Sequence, residues 1–153
     1  MSIASAIAYT GGPYPLGYHG LGELFVFIFF GPVAVCGTYY VQALNVSTLA
    51  WWASIPVGLL TTAILVVNNI RDLENDKKAG KRTLAVRLGQ SGTQREFLFL
   101  LTVSYAIPLF LWLSGQTSPW VLICWLSLPL AKHLYRDIRT KKGAPLNATL
   151  AGT

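Results

Sequence analysis

Charge is what this sequence has least of. Only 12% of its 153 residues are Asp, Glu, Lys or Arg, about half the ~25% of an average soluble domain. The shortage is uneven: positions 1–22, 24–70 and 97–131 contain no charged residue at all. A soluble helical domain needs polar faces to meet water, and these stretches offer almost none. There are two cysteines and two histidines, too few and too scattered for zinc-ligand spacing or a disulfide framework. Cys36 and Cys124 are expected as apolar fillers inside helices, and the isolated His19 and His133 as polar loop or interface residues. No glycine-rich loop joins a strand to a helix, no Ser/His/Asp set can be assembled, and no internal repeat appears. Aromatic-interleaved basic strands and helix–turn–helix patterns are missing too, so nucleic acid is not an expected partner.

What is present is apolar length. Hydrophobic residues make up 53% of the chain and the mean hydropathy is +0.49. A helix needs roughly 20 apolar residues to cross the hydrocarbon core. The uncharged stretch from Leu24 to Ile70 would be about 70 Å long as one helix, so it must be two spans. The natural break is Asn45-Val46-Ser47-Thr48. A second long stretch divides at Ser114-Gly115-Gln116-Thr117-Ser118-Pro119. The expectation is an all-α, polytopic transmembrane bundle forming a single membrane domain over 1–153, with spans near 24–44, 49–70, 96–113 and 119–135. The start does not read as a signal peptide, because it lacks a basic beginning and is soon broken by Gly and Pro. Ser2–Ala8 is expected to be the end of a helix that begins outside this sequence.

The cations give the orientation. Of the 12 Lys and Arg, seven lie between Arg71 and Arg95 and five between Lys132 and Lys142. Alternating spans put both groups on one side, which the positive-inside rule makes cytoplasmic. The 9–22 loop falls on that side as well. The expected setting is the cell's inner (plasma) membrane, crossed several times, with the lipid bilayer as partner and the net charge of +6 facing anionic lipid or phosphate.

Ionisable groups at a membrane edge are costly enough to mark function. Asn68, Asp72 and Asp76, spaced by four, share one stripe of a helix, while Glu74 points away. Two carboxylates one turn apart repel, and a divalent cation turns that repulsion into attraction. Mg²⁺ favours one or two carboxylates plus water and phosphate oxygens. Asp72, Asp76 and Asn68 suit such an incomplete shell. Lys77, Lys78, Lys81, Arg82 and Arg87 follow as partners for phosphate, and Gly80 lets the chain turn after the acidic helix. The alternative is a solvated interfacial loop whose cations serve topology and whose acids serve balance. Asp137, beside Arg136 and Arg139, is expected as a surface ion pair. Pro32, Pro56, Pro108 and Pro129 are expected to kink helices, and the five tryptophans to act as belt and packing residues.

The run Asp72-x-x-x-Asp76-x-x-x-Gly80-Lys81-Arg82-Thr83-Leu84-Ala85-Val86-Arg87-Leu88-Gly89 resembles an aspartate motif of the UbiA-type intramembrane prenyltransferases. Together with Asn68-Asn69-Ile70-Arg71 and the loop Tyr9–Glu23, it is most similar to the branch of that family acting on 1,4-dihydroxy-2-naphthoate. The resemblance covers nearly the whole chain. It implies a fold of nine transmembrane helices around a cavity, of which this sequence holds the middle and later part, its four spans being helices five to eight. It also implies Mg²⁺-dependent transfer of a polyprenyl group from polyprenyl diphosphate to dihydroxynaphthoate, in menaquinone or phylloquinone synthesis. By the same resemblance Asp72 and Asp76 are the catalytic residues. With Asn68 they hold the metal, and Arg71, Lys78, Lys81 and Arg82 hold the diphosphate. Tyr9, Tyr14, Tyr18 and His19 would meet the aromatic acceptor, the alternative for the tyrosines being an interfacial belt.

The family's other motif, an N-x-x-x-D-x-x-x-D on its second helix, is expected to be absent from this sequence: Asn68, Asp72 and Asp76 have that spacing but belong to the motif above, and the remaining acids, Glu23, Glu74, Glu96 and Asp137, cannot form a second one. The chain is therefore expected to be a fragment, inactive alone and in need of the remainder of its own polypeptide. Two other readings stay open. One is a family member using hydroxybenzoate, homogentisate or haem as acceptor; the other is a non-catalytic four-span subunit.

Overall fold

The structure is a computed structural model describing residues 20–141, 143 and 145–151. Its elements are all helical: α1 (Gly22–Ala43), α2 (Thr48–Lys78), α3 (Leu84–Leu113), a 3-10 helix (Pro119–Ser127), α4 (Leu128–Thr140) and α5 (Leu146–Ala151). Among the described residues α1, α2 and α3 are long and apolar enough to cross a membrane. Their outward faces are apolar, with Val41, Phe99 and Leu113 each more than three-fifths exposed. Exposure on that scale suits lipid and not water.

Side-chain caps start the second and third helices. Ser47 Oγ accepts from the Ala50 N–H at 3.1 Å and starts α2, while Thr83 Oγ1 accepts from the Val86 N–H at 3.3 Å and starts α3. Both helices overrun the expected spans. α2 continues past Ile70 through the whole acidic segment, and α3 begins well before residue 96. α3 bends at Gly89, whose φ of 67° is a left-handed conformation that favours glycine.

Pro32 sits in a π-helical turn, Phe29–Val33, inside α1. The wider turn accommodates a residue that has no N–H to donate. Here α1 meets α2 backbone to backbone: a Cβ added to Gly31 would lie 2.9 Å from Ser54 O, and one on Gly58 2.8 Å from Phe27 O. Below this crossing Val66, Val67, Ile70, Phe97, Leu134 and Ile138 join α2, α3 and α4 in one buried core. That core ends one turn before the acidic segment and fixes which face of α2 looks inward.

The fourth expected span departs from a single α-helix. Residues 119–127 wind as a 3-10 helix, and α4 begins at Leu128 with Pro129 in its first turn. The 3-10 rise of ~2.0 Å per residue lets the uncharged run up to Ala131 reach about 24 Å, against ~20 Å as α-helix. Asp137 also differs from expectation. It is buried at 8% exposure on the inner face of α4 with Ala131, Leu134 and Ile138. Its partners are Lys141 Nζ at 2.6 Å and Thr149 Oγ1 at 3.1 Å, not Arg136 or Arg139, which stand on the opposite face. Helical periodicity, not adjacency in sequence, decides the pairing.

Candidate functional site

The acidic segment forms the last two turns of α2. Leu73 and Asp76 continue the inward stripe that Val66 and Ile70 begin, so Asp76 is only 7% exposed although it is charged. A buried carboxylate needs a partner, and the helix terminus supplies one. Gly80 takes φ 71°, the Gly80 N–H donates to Lys77 O at 3.1 Å, and the Lys81 N–H donates to Asp76 O at 3.0 Å. This is a Schellman closure, with glycine at its left-handed position. It folds Lys81 back over the helix end, where Nζ reaches Asp76 Oδ1 at 2.9 Å. The Gly80-Lys81 pair thus delivers a cation to the carboxylate one turn below it.

Asp72 lies one turn earlier on the same stripe and is held differently. Arg71 grips it in a fork, Nε to Oδ1 at 2.8 Å and Nη2 to Oδ2 at 2.6 Å, while Nη1 donates to Asn147 Oδ1 of α5 at 3.2 Å. Glu74 is exposed and pairs with Lys77 at 3.4 Å. Lys78 and Arg82 are exposed, and Arg82 O accepts from Arg87 Nε at 3.2 Å. Asn68 is half-buried, one turn before Asp72.

Two neighbours went unnoticed in the sequence. Asn69 Nδ2 donates to Glu23 Oε1 at 2.7 Å, across 46 positions, and Glu23 is 7% exposed. On α3, Glu96 has a buried Oε2 without a hydrogen-bond partner and interacts electrostatically with Glu23. A signal for Glu23 was present: it is the one charged residue before Arg71. Gly20, at φ 76°, packs against the basic loop, where an added Cβ would come within 3.2 Å of Arg82 O. The end of the 9–23 loop and the Lys81–Arg87 segment therefore meet at one edge of the bundle. Tyr9, Tyr14, Tyr18 and His19 lie outside the described residues.

The donor set can be tested for a divalent ion. Among the described residues, no three His, Cys, Asp or Glu side chains form a metal-holding group. This chain offers two carboxylates and an amide on one stripe, each carboxylate already balanced by a cation. The oxygen donors suit a hard divalent cation, which would take the places that Arg71 and Lys81 hold on the carboxylates.

Comparison with protein families matches residues 1–150 to the UbiA prenyltransferase family. The chain is 43% identical over 141 residues to the 1,4-dihydroxy-2-naphthoate octaprenyltransferase of Mycobacterium tuberculosis, covering 92% of this chain and 47% of that protein. It is 37% identical over 164 residues to the protein of that name in Escherichia coli, covering 98% and 53%. The 2-carboxy-1,4-naphthoquinone phytyltransferase of Synechocystis is 36% identical over 140 residues, covering 90% and 45%. The chain spans about half the length of these curated relatives.

Proposed function

Because this chain belongs to the UbiA prenyltransferase family, we propose that the polypeptide carrying it transfers a polyprenyl group from its diphosphate to 1,4-dihydroxy-2-naphthoate. The observation that carries this reading is the cation-balanced stripe of Asp72 and Asp76 at the end of α2. Names of relatives that act on 1,4-dihydroxy-2-naphthoate support the acceptor. The site opens on the cytoplasmic side of the plasma membrane, where all 12 cations cluster.

Asp72, Asp76 and Asn68 would hold Mg²⁺, which supplies Lewis-acid neutralisation of the diphosphate leaving group. The chain's own cations then exchange partners. Lys81 leaves the Asp76 carboxylate and turns its Nζ to a phosphate oxygen, while Arg71 offers its fork to the same anion. Arg82 and Lys78 add charge at the rim. Because these cations are fixed before charge develops on the departing diphosphate, they stabilise the transition state at little reorganisation cost. The allylic C–O bond breaks, the electron-rich ring forms the new C–C bond, and the ring carboxylate leaves as carbon dioxide. Tyr9, Tyr14, Tyr18 and His19 would orient the ring. A second metal position would need a further aspartate motif beyond Asn68, Asp72 and Asp76, and these 153 residues do not contain one.

The test is an assay of the full-length protein with labelled prenyl diphosphate and a panel of acceptors. Product from dihydroxynaphthoate is the expected result. Product from hydroxybenzoate or homogentisate alone overturns the acceptor assignment.

A further inference from the structure

A groove of about 380 Å³ runs between α3 and the 3-10 helix with the start of α4. Its walls are Leu98, Leu101 and Ala106 on one side and Trp125 and Leu128 on the other. The polar atoms in its middle are already satisfied: Trp125 Nε1 donates to Tyr105 O at 3.2 Å, and the Tyr105 and Ser127 hydroxyls are 2.6 Å apart. What remains is a furrow shaped for hydrocarbon. Lys132 and Tyr135, on the first turns of α4, also line it.

From Lys132 a line of cations follows the helix. Lys132, Arg136 and Arg139 are spaced i, i+4, i+7, all exposed, on the face opposite buried Leu134 and Ile138. The Arg139 guanidinium lies 5.9 Å from the centre of the Tyr135 ring, which holds it beside the furrow. The acid on this helix does not neutralise the stripe, because Asp137 faces inward and pairs with Lys141. A furrow for an acyl chain beside three exposed cations is complementary to one class of molecule.

We propose that this groove seats an acyl chain of an anionic phospholipid, with its phosphate held by Lys132, Arg136 and Arg139. The inference rests on the cytoplasmic placement given above, since that leaflet carries the anionic lipid. It is independent of the aspartate site, because the stripe faces away from the core that α4 shares with α2.

The experiment is native mass spectrometry of the full-length protein in detergent with added phosphatidylglycerol or phosphatidylcholine. Wild type should retain phosphatidylglycerol selectively. The triple variant Lys132→Gln, Arg136→Gln, Arg139→Gln should lose about a hundredfold in that selectivity, for three cations at an anionic headgroup. Ala106→Trp, at an exposed position of the furrow, should weaken retention of the lipid while leaving the stripe intact. Prenyl transfer by the triple variant in phosphatidylcholine should match wild type. Equal retention of both lipids by wild type overturns the proposal. So does loss of prenyl diphosphate binding in the triple variant, which would make the furrow a substrate path.

Discussion

Asn69 and Glu23 are 46 positions apart, yet the amide of one donates to the carboxylate of the other across 2.7 Å. This bond ties the start of α1 to the last turns of α2. It joins the end of the 9–23 loop to the turn of α2 just before the acidic segment. The bond fixes the face of α2 on which Asp72 and Asp76 follow.

Breaking it should cost stability. Hydrogen bonds to charged groups contribute ~1.5–3 kcal/mol, so Glu23→Ala should lower the melting temperature measurably. The double variant with Asn69→Ala should cost less than the two single variants summed, because neither then leaves an orphan. Strict additivity in a double-mutant cycle would show that the contact carries no energy. Glu96→Gln, which removes the charge from a carboxyl whose buried Oε2 has no hydrogen-bond partner, should leave the melting temperature unchanged or raise it.

The aspartates should control turnover and not folding. In the full-length protein, Asp72→Asn or Asp76→Asn should lower kcat by about 10²-fold or more, the scale for losing one electrostatic stabiliser of a transition state. Lys81→Ala should raise KM for the diphosphate if it holds ground and transition states alike. Wild-type rates for the Asn variants at limiting magnesium would contradict the metal role.

The α1–α2 crossing tolerates no side chain. Gly31→Ala or Gly58→Ala would push a methyl group within 3.0 Å of backbone atoms of the other helix, and overpacking of that kind costs ~1–3 kcal/mol. Gly37 has nothing within 4 Å of its added Cβ. Gly37→Ala should therefore be neutral or slightly stabilising in the same thermal melts, since alanine favours the helix. Equal effects at all three positions would remove the close-approach argument.

Acid should loosen the base of the bundle through Asp137. The hydrogen bond from Lys141, with help from Thr149, holds its carboxyl below the ordinary carboxylate range. A carboxyl depressed in the folded state stabilises the fold above its unfolded value of ~3.9, and that contribution disappears as pH falls through the folded value. Docking of α5 on α4 should thus be constant from neutral pH to about pH 5 and weaken below pH ~4. Melting curves of Asp137→Asn should lack this acid limb. An unchanged limb in that variant would assign the effect to another group.

Much of this could be read from residues alone, because the signals are local. Hydropathy places the spans, since lipid accepts backbone only when it bonds internally. Ser47 and Gly80 mark helix ends through local capping and turn chemistry, whereas the Thr83 cap of α3 was passed over because hydropathy alone started that span near residue 96. The spacing of Asn68, Asp72 and Asp76 fixes their shared stripe once the segment is helical. The pairing of Asp137 was misread because proximity in sequence suggested Arg136 and Arg139, whereas the turn of the helix points them apart. The 3-10 winding of 119–127 was equally invisible, since an apolar run looks the same at 1.5 or ~2.0 Å per residue.

The sequence by itself determined the all-helical membrane class and the shared stripe of Asn68, Asp72 and Asp76, because hydropathy and helical period are properties of short stretches. Only the tertiary structure decided that Glu23 meets Asn69, that Lys81 folds back on Asp76, and that the cations of α4 stand beside an apolar furrow. Those relationships depend on how helices cross at Gly31 and Gly58 and how far each is rotated. Packing between distant segments sets that rotation, and no local signal encodes it.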